Sequence, residues 1–159
     1  MTLNDLINTQ SVAIDMHVTS KKQLFQEMAE LFFNAGVISS DDFSVRDIVS
    51  ATMDRERLGS TGVGTGVALP HARIDGLDKV HAALARLEEP FDYDAIDERP
   101  VDLVVMLLAP NNAGSEHLRA LAQISRRMRR EDIRARLRAA PNAESLYTSL
   151  LNDPEANAA

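Results

Sequence analysis

The chain has 159 residues, of which 45% are hydrophobic, and carries 17 Lys and Arg against 24 Asp and Glu for a formal net charge of −7. That is the size of one ordinary domain with enough apolar material for a core, which excludes a disordered segment. The acidic balance excludes a general nucleic-acid binder, because neutralising phosphates needs clustered cations, and the absence of cysteine excludes disulfide scaffolds, thiolate metal sites and Cys nucleophiles. No apolar run reaches the roughly 18 residues that a membrane span needs. No basic start followed by an apolar stretch marks a signal peptide. The expectation is a cytoplasmic protein of one domain over 1–152, with a frayed tail at 153–159 and no membrane insertion.

Val12, Ile14 and Met16 alternate with polar neighbours, the period of a half-buried strand. Ser20 suits an N-cap, and Leu24, Phe25, Met28, Leu31 and Phe32 then fall on one helical stripe that Gly36 stops. A second helix is expected over 41–58, with Val45, Ile48, Val49 and Met53 inward and Gly59 as its stop. Residues 59–66 hold four of the seven glycines. Val67, Ala68 and Leu69 read as a short strand ending at Pro70-His71, and Asp75-Gly76 as a turn. A strand is expected over 80–87, a polar turn region over 91–99, and a strand buried on both faces over 101–109 that Pro110 ends. The loop 111–115 leads into a helix from about 116 whose stripe is Leu118, Leu121, Ile124 and Met128. A short helix around Ile133 and Leu137 and a last one carrying Leu146, Tyr147, Leu150 and Leu151 complete the chain. Strands interleaved with helices predict an α/β sandwich, a sheet flanked by helices.

The glycine run is not a nucleotide loop. No Lys follows its last glycine, the spacing from Gly62 is G-x-G-x-G, and the order is helix, loop, strand. It reads either as a connection needing positive φ or as backbone passing close to another group, such as a phosphoryl or a partner protein. The four histidines, His17, His71, His81 and His117, lack the spacing of a helical zinc site, so no metal site and no cofactor are expected. His17 and His81 read as polar residues at strand edges. His71 and His117 each follow a strand and a loop, where sites are commonly assembled, so folding could pair them; read alone, they are plain polar residues. Arg55, among Asp54, Glu56 and Arg57, is either a solvated helix end or a cation facing the histidines.

The run from Asp54 to His71, reading DRERLGSTGVGTGVALPH, resembles the phosphorylation-site motif of the IIA proteins of the bacterial phosphotransferase system, fructose/mannitol class. Its Gly-Ser-Thr-Gly is most similar to the nitrogen-regulatory branch, IIA-Ntr. The stretches FDYDAID at 91–97, PVDL at 100–103 and SEHL at 115–118 resemble the same class. The resemblance implies a mixed sheet flanked by helices, His71 as phosphoryl acceptor at its Nε2, His117 as the second active-site histidine and Arg55 as the arginine that holds the phosphoryl group. It implies a small donor phosphocarrier resembling HPr or NPr, and no nucleotide or metal. Amides of the glycine loop would help neutralise the phosphoryl oxygens. Regulated partners would include potassium transport, sensor kinases or metabolic enzymes. The alternative is a sugar-specific IIA passing the group to a IIB domain. Many members of the class continue Pro-His-Gly-Lys. Here the sequence is Pro70-His71-Ala72-Arg73, which fits only if φ at Ala72 is negative and which keeps a cation at position 73.

One segment departs from the acidic average. Arg126, Arg127, Arg129, Arg130, Arg134, Arg136 and Arg138 face only Glu131 and Asp132, so 126–138 carries +5 and the remainder −12. Such runs are usually solvated faces; the sharper reading is a surface for an acidic partner near the phosphorylation site.

Overall fold

The structure, a computed structural model, describes residues 2–152; the expected frayed tail lies outside the described residues. In chain order the elements are α1 (Leu3–Leu6), β1 (Val12–Met16), α2 (Lys21–Asn34), α3 (Val45–Arg57), β2 (Gly62–Gly64), β3 (Val67–Ala68), β4 (His71–Ile74), β5 (His81–Phe91), β6 (Val101–Pro110), α4 (Ser115–Met128), α5 (Glu131–Ala139) and α6 (Ala143–Leu151). They form the expected α/β sandwich, a six-stranded mixed sheet with helices on both faces.

The sheet runs β1-β5-β6-β3-β2, with β4 also paired to β6. β6 is antiparallel to β5 and parallel to both β3 and β4. Its side chains divide by alternation. Val104, Met106 and Leu108 enter one core with Leu24, Phe25, Met28 and Phe32 of α2 and Ile48 of α3. Leu103, Val105, Leu107 and Ala109 enter a second core with Ile124, Ile133, Leu137 and Leu146 from the three C-terminal helices. The continuous aliphatic run is therefore explained by two cores, one on each side.

Several boundaries differ from the sequence reading. The second helix begins at Val45, capped by Ser44, whose hydroxyl accepts from Asp47 N. Residues 41–43 belong instead to a turn on Ser39, whose carbonyl accepts from Asp42 and Phe43. The expected strand ending at His71 is two strands, because Pro70 interrupts the ladder and β4 starts afresh at His71. β5 runs on to Phe91, past Pro90, in a stretch where its register against β6 slips. His81 is no edge residue: it is buried, with its Nε2 2.9 Å from Asp78 Oδ1. His17 is exposed, as expected.

In α4 the inward stripe is His117, Ala120, Ile124 and Met128, whereas Leu118 is 67% exposed. Each helical residue turns by about 100°, so once Ile124 and Met128 point inward the position at 117 shares their face and 118 does not.

The glycine run is ordered by its own chain. Gly62–Gly64 pairs antiparallel with β3, and the turn between them places Gly64, Thr65 and Gly66 all at positive φ. A Cβ on Gly62 would lie 2.7 Å from Ala95 Cβ and 2.9 Å from the Tyr93 ring. The close approach at Gly62 is thus to residues of 91–99 of the same chain. Three amides of the run are engaged within the chain: Thr61, Gly62 and Thr65 donate to Glu56, Ser60 and Asp97.

The arginine-rich segment is mostly spent on structure. Arg127 donates to the carbonyls of Leu150 and Leu151, Arg134 to that of Met128, and Arg138 to Asp102 and to the Thr65 carbonyl. Arg130 and Arg136 converge on Asp132. Helix carbonyls that lack a partner in the last turn are satisfied this way. The segment begins in the last turn of α4, about 14 Å along the helix from His117, so it is not adjacent to the histidines.

We expect Gly62→Ala to cost about 1–3 kcal/mol, the usual range for overpacking. Urea unfolding of the variant should show a lowered midpoint. An unchanged midpoint would mean that the 91–99 segment yields freely.

Candidate active site

His71 is set by the sheet. It stands opposite Leu107 of β6, and the Pro70 carbonyl accepts from Leu107 N at 3.0 Å. Along β4 the burial alternates: Ala72 and Ile74 are buried, while His71 is half-buried and Arg73 exposed. Ala72 is absent from the positive-φ residues, so the chain's departure at that position is accommodated by extended backbone. His117 lies in the first turn of α4, buried at 7% exposure. The two imidazoles meet edge-on, centroids 5.5 Å apart and planes at 75°. An open cleft of about 540 Å³ has His71, Arg73 and His117 on its wall together with Arg55 and the exposed Leu58 and Leu118. Residues 46 and 16 positions away in sequence are therefore brought to His71 in space. Arg55 lies in the last turn of α3, with its Nη1 donating to the Gly59 carbonyl at 3.0 Å. Arg57, beside it, pairs with Asp54 at the surface instead.

The hydrogen bonds determine the proton positions. His71 Nδ1 is 2.9 Å from the Leu69 carbonyl oxygen. A carbonyl only accepts, so Nδ1 carries the hydrogen and Nε2 of the neutral ring keeps its lone pair. His117 Nε2 is buried without a hydrogen-bond partner among the described residues. Such a group is costly unless something arrives to satisfy it. Burial lowers the pKa of His71 below the usual imidazole value, opposed by its bond to Leu69 and assisted by Arg55. Burial, with His71 and Arg73 nearby, lowers that of His117 to about 4. At neutral pH both rings are uncharged, and the cations of the cleft are its arginines.

Residues 5–153 match the family described as phosphoenolpyruvate-dependent sugar phosphotransferase system, EIIA 2. The chain belongs to that family. It is 41% identical to a nitrogen regulatory protein of Bradyrhizobium diazoefficiens over 159 residues, the whole of both chains. A crystal structure of nitrogen regulatory protein IIA-Ntr from Neisseria meningitidis superposes with a TM-score of 0.84 at 35% identity, covering 93% of this chain and 98% of that one. The mannitol IIA of Escherichia coli shares the fold at 18% identity and a TM-score of 0.72, over 90% and 97% of the two chains. The site thus sits in an EIIA 2 fold with nitrogen-regulatory relatives.

Two residues, one on the wall of this EIIA 2 cleft and one buried beside Arg55, carried less signal in the sequence than they deserve from the geometry. Arg73 shares the outward face of β4 with His71, two positions on, and donates to the Asn111 carbonyl at 3.0 Å. The sequence marks it only as a retained cation; strand alternation at i and i+2 is what puts it on the histidine's face. Glu56 is buried at 8% exposure and accepts from Thr61 and Tyr93; nothing in its charged surroundings, Asp54-Arg55-Glu56-Arg57, separates it from solvent-facing neighbours. Among the described residues no group of three His, Asp or Glu is placed to hold a metal ion.

The neutral histidines make stability depend on pH. Below pH 6.5 the unfolded chain's imidazoles take up protons, while folded His117 resists until about pH 4. The unfolded state then binds more protons, so stability falls as pH drops through this window and rises as pH is restored. For His117 the loss is on the order of 3 kcal/mol once pH reaches its folded value. Urea midpoints between pH 7 and pH 4 should fall less steeply for His117→Asn than for the parent chain; equal slopes would contradict the assignment.

Proposed function

We propose that this chain is a phosphocarrier and regulator of the nitrogen-related phosphotransferase branch, working in the cytoplasm and accepting a phosphoryl group on His71 Nε2 from an HPr- or NPr-like carrier. The observation that carries the reading is the tautomer. With Nδ1–H held on the Leu69 carbonyl, the Nε2 lone pair is free to attack. Its bond to phosphorus forms as the bond from phosphorus to the carrier's imidazole nitrogen breaks, the electron pair returning to that ring. Substitution at Nε2 while Nδ1 keeps its hydrogen makes the His71 ring cationic, and the Leu69 carbonyl stabilises that charge.

Phosphoryl transfer needs in-line positioning and neutralisation of the equatorial oxygens more than covalent chemistry. Arg55 is the arginine suited to the second task, with Arg73 a further cation on the same wall. His117, as the Nε2–H tautomer, would donate to a phosphoryl oxygen and so satisfy a nitrogen otherwise left buried and unpaired. Phosphorylation then changes which proteins bind. The relatives' nitrogen-regulatory names favour this over the alternative, onward transfer to a IIB domain of a sugar transporter.

Incubation with phosphoenolpyruvate, enzyme I and carrier should add one phosphoryl group by intact mass, labile in acid and stable in base. His71→Ala should abolish it, and an adduct that survives that substitution refutes the site. His117→Ala should keep the site but slow transfer about a hundredfold, the scale of losing one transition-state donor. Efficient onward transfer to sugar through a IIB domain would favour the alternative.

A further inference from the structure

Glu56 is a carboxylate in the interior, its side chain 5% exposed, at the end of the helix that carries Arg55. An ion so placed is unfavourable unless it is paired and hydrogen-bonded. Four donors converge on it. Thr61 N donates to Oε2 at 2.8 Å, Lys21 Nζ to Oε2 at 3.3 Å, Tyr93 OH to Oε1 at 3.0 Å, and the Thr61 hydroxyl also to Oε1. The donors come from α2, from the turn after α3 and from the 91–99 segment. Tyr93 is itself fully buried, edge-on to Phe25 and Phe91, with Lys21 Nζ 4.5 Å above its ring. The convergence point is therefore rigid.

Its output leads to the acceptor histidine. Thr61, held at both its amide and its hydroxyl, presents its carbonyl to Leu69 N at 2.9 Å. Leu69 in turn presents its carbonyl to His71 Nδ1 at 2.9 Å. Three consecutive links thus join Glu56 to the imidazole, all between groups buried or half-buried. The Leu69 carbonyl is the group that makes Nε2 the free nitrogen, and Thr61 holds the adjoining peptide plane, that of the Leu69 N–H, on the other side of the φ and ψ of Leu69.

We propose that Glu56 is a positioning residue for His71: through Thr61 and Leu69 it fixes the Nδ1–H tautomer and so presents Nε2 as the nucleophile. The inference rests on the phosphoryl-acceptor reading of His71 for its consequence, but the tautomer itself is a property of the unphosphorylated chain. A carboxylate is suited to the role because it accepts from all four donors at once. The isosteric amide of Gln keeps the shape but turns one acceptor into a donor facing Lys21 or Thr61 N.

The test combines nitrogen-15 NMR of the histidine rings at neutral pH with the rate of phosphoryl uptake from carrier. In the parent chain His71 should be almost wholly the Nδ1–H tautomer. In Glu56→Gln the Nε2–H tautomer should appear, and uptake should slow roughly tenfold to a hundredfold, as expected for a misplaced reacting group. Thr61→Val should do the same, and Thr61→Ser, which keeps the hydroxyl, should restore both readouts. A folded Glu56→Gln with the parent's tautomer ratio overturns the proposal, even if uptake slows, because a purely structural role would slow uptake without moving the tautomer. Should Glu56→Gln not fold, Tyr93→Phe removes a single donor and is judged by the same two readouts. A parent chain that takes up no phosphoryl group on His71 would refute the proposed function instead, and the tautomer comparison, which needs no carrier, would still decide the role of Glu56.

Discussion

β6 is buried on both faces, so its peptide groups must be paired along its two edges and its side chains must fill two cores at once. β5 takes one edge. The other is shared in succession by β3 and β4, with Pro70 between them. Parallel neighbours in register point the same way, so His71, opposite Leu107, and Arg73, opposite Ala109, face the layer of α4 to α6, while Ala72, opposite Leu108, faces the layer of α2 and α3. A slip of one residue would turn His71 into the other core and Ala72 outward. The register of four residues on β6 thus decides which helix layer the acceptor meets.

That placement explains why the cleft draws on both layers. β4 is an edge strand, covered on one side by α3 and approached on the other by the start of α4. His117 reaches His71 from its own layer. Arg55 comes from the opposite one, at the end of α3, and an arginine has the length to round a sheet edge. The site is the seam between two cores, which is also where a partner has access without disturbing either.

Much of this was legible in the sequence. The doubly buried strand, the stripe of α2 and its Ser20 cap follow from residue periodicity, and the motif around His71 identified the class that the comparisons also give. What escaped has physical reasons. Strands of two to four residues, such as β2 to β4, are too short for a period to register, and their pairing is decided by β6, far along the chain. The glycine run left open what its backbone passes close to, because composition does not reveal that Tyr93 and Ala95 press against it. Leu118 looked like core because Leu usually is; the helix phase places the histidine there instead. Glu56 is the hardest case, since a buried carboxylate is recognisable only through partners from three other segments.

The electrostatics of the cleft bear on how such a site signals. Both histidines rest uncharged, so before phosphorylation its local charge is set by arginines and its rim by exposed apolar side chains, Leu58 and Leu118 at 84% and 67% exposure. On the proposed function a dianion then appears at His71, against the two arginines. Apolar rim contacts are indifferent to that change, whereas the positive charge inside the cleft is offset by the phosphoryl group. A carrier and a regulated target can therefore share the leucine rim for contact area and still be told apart by the charge they bring to the centre, because an anionic group that the bare arginines attract loses that attraction once the phosphoryl group occupies them.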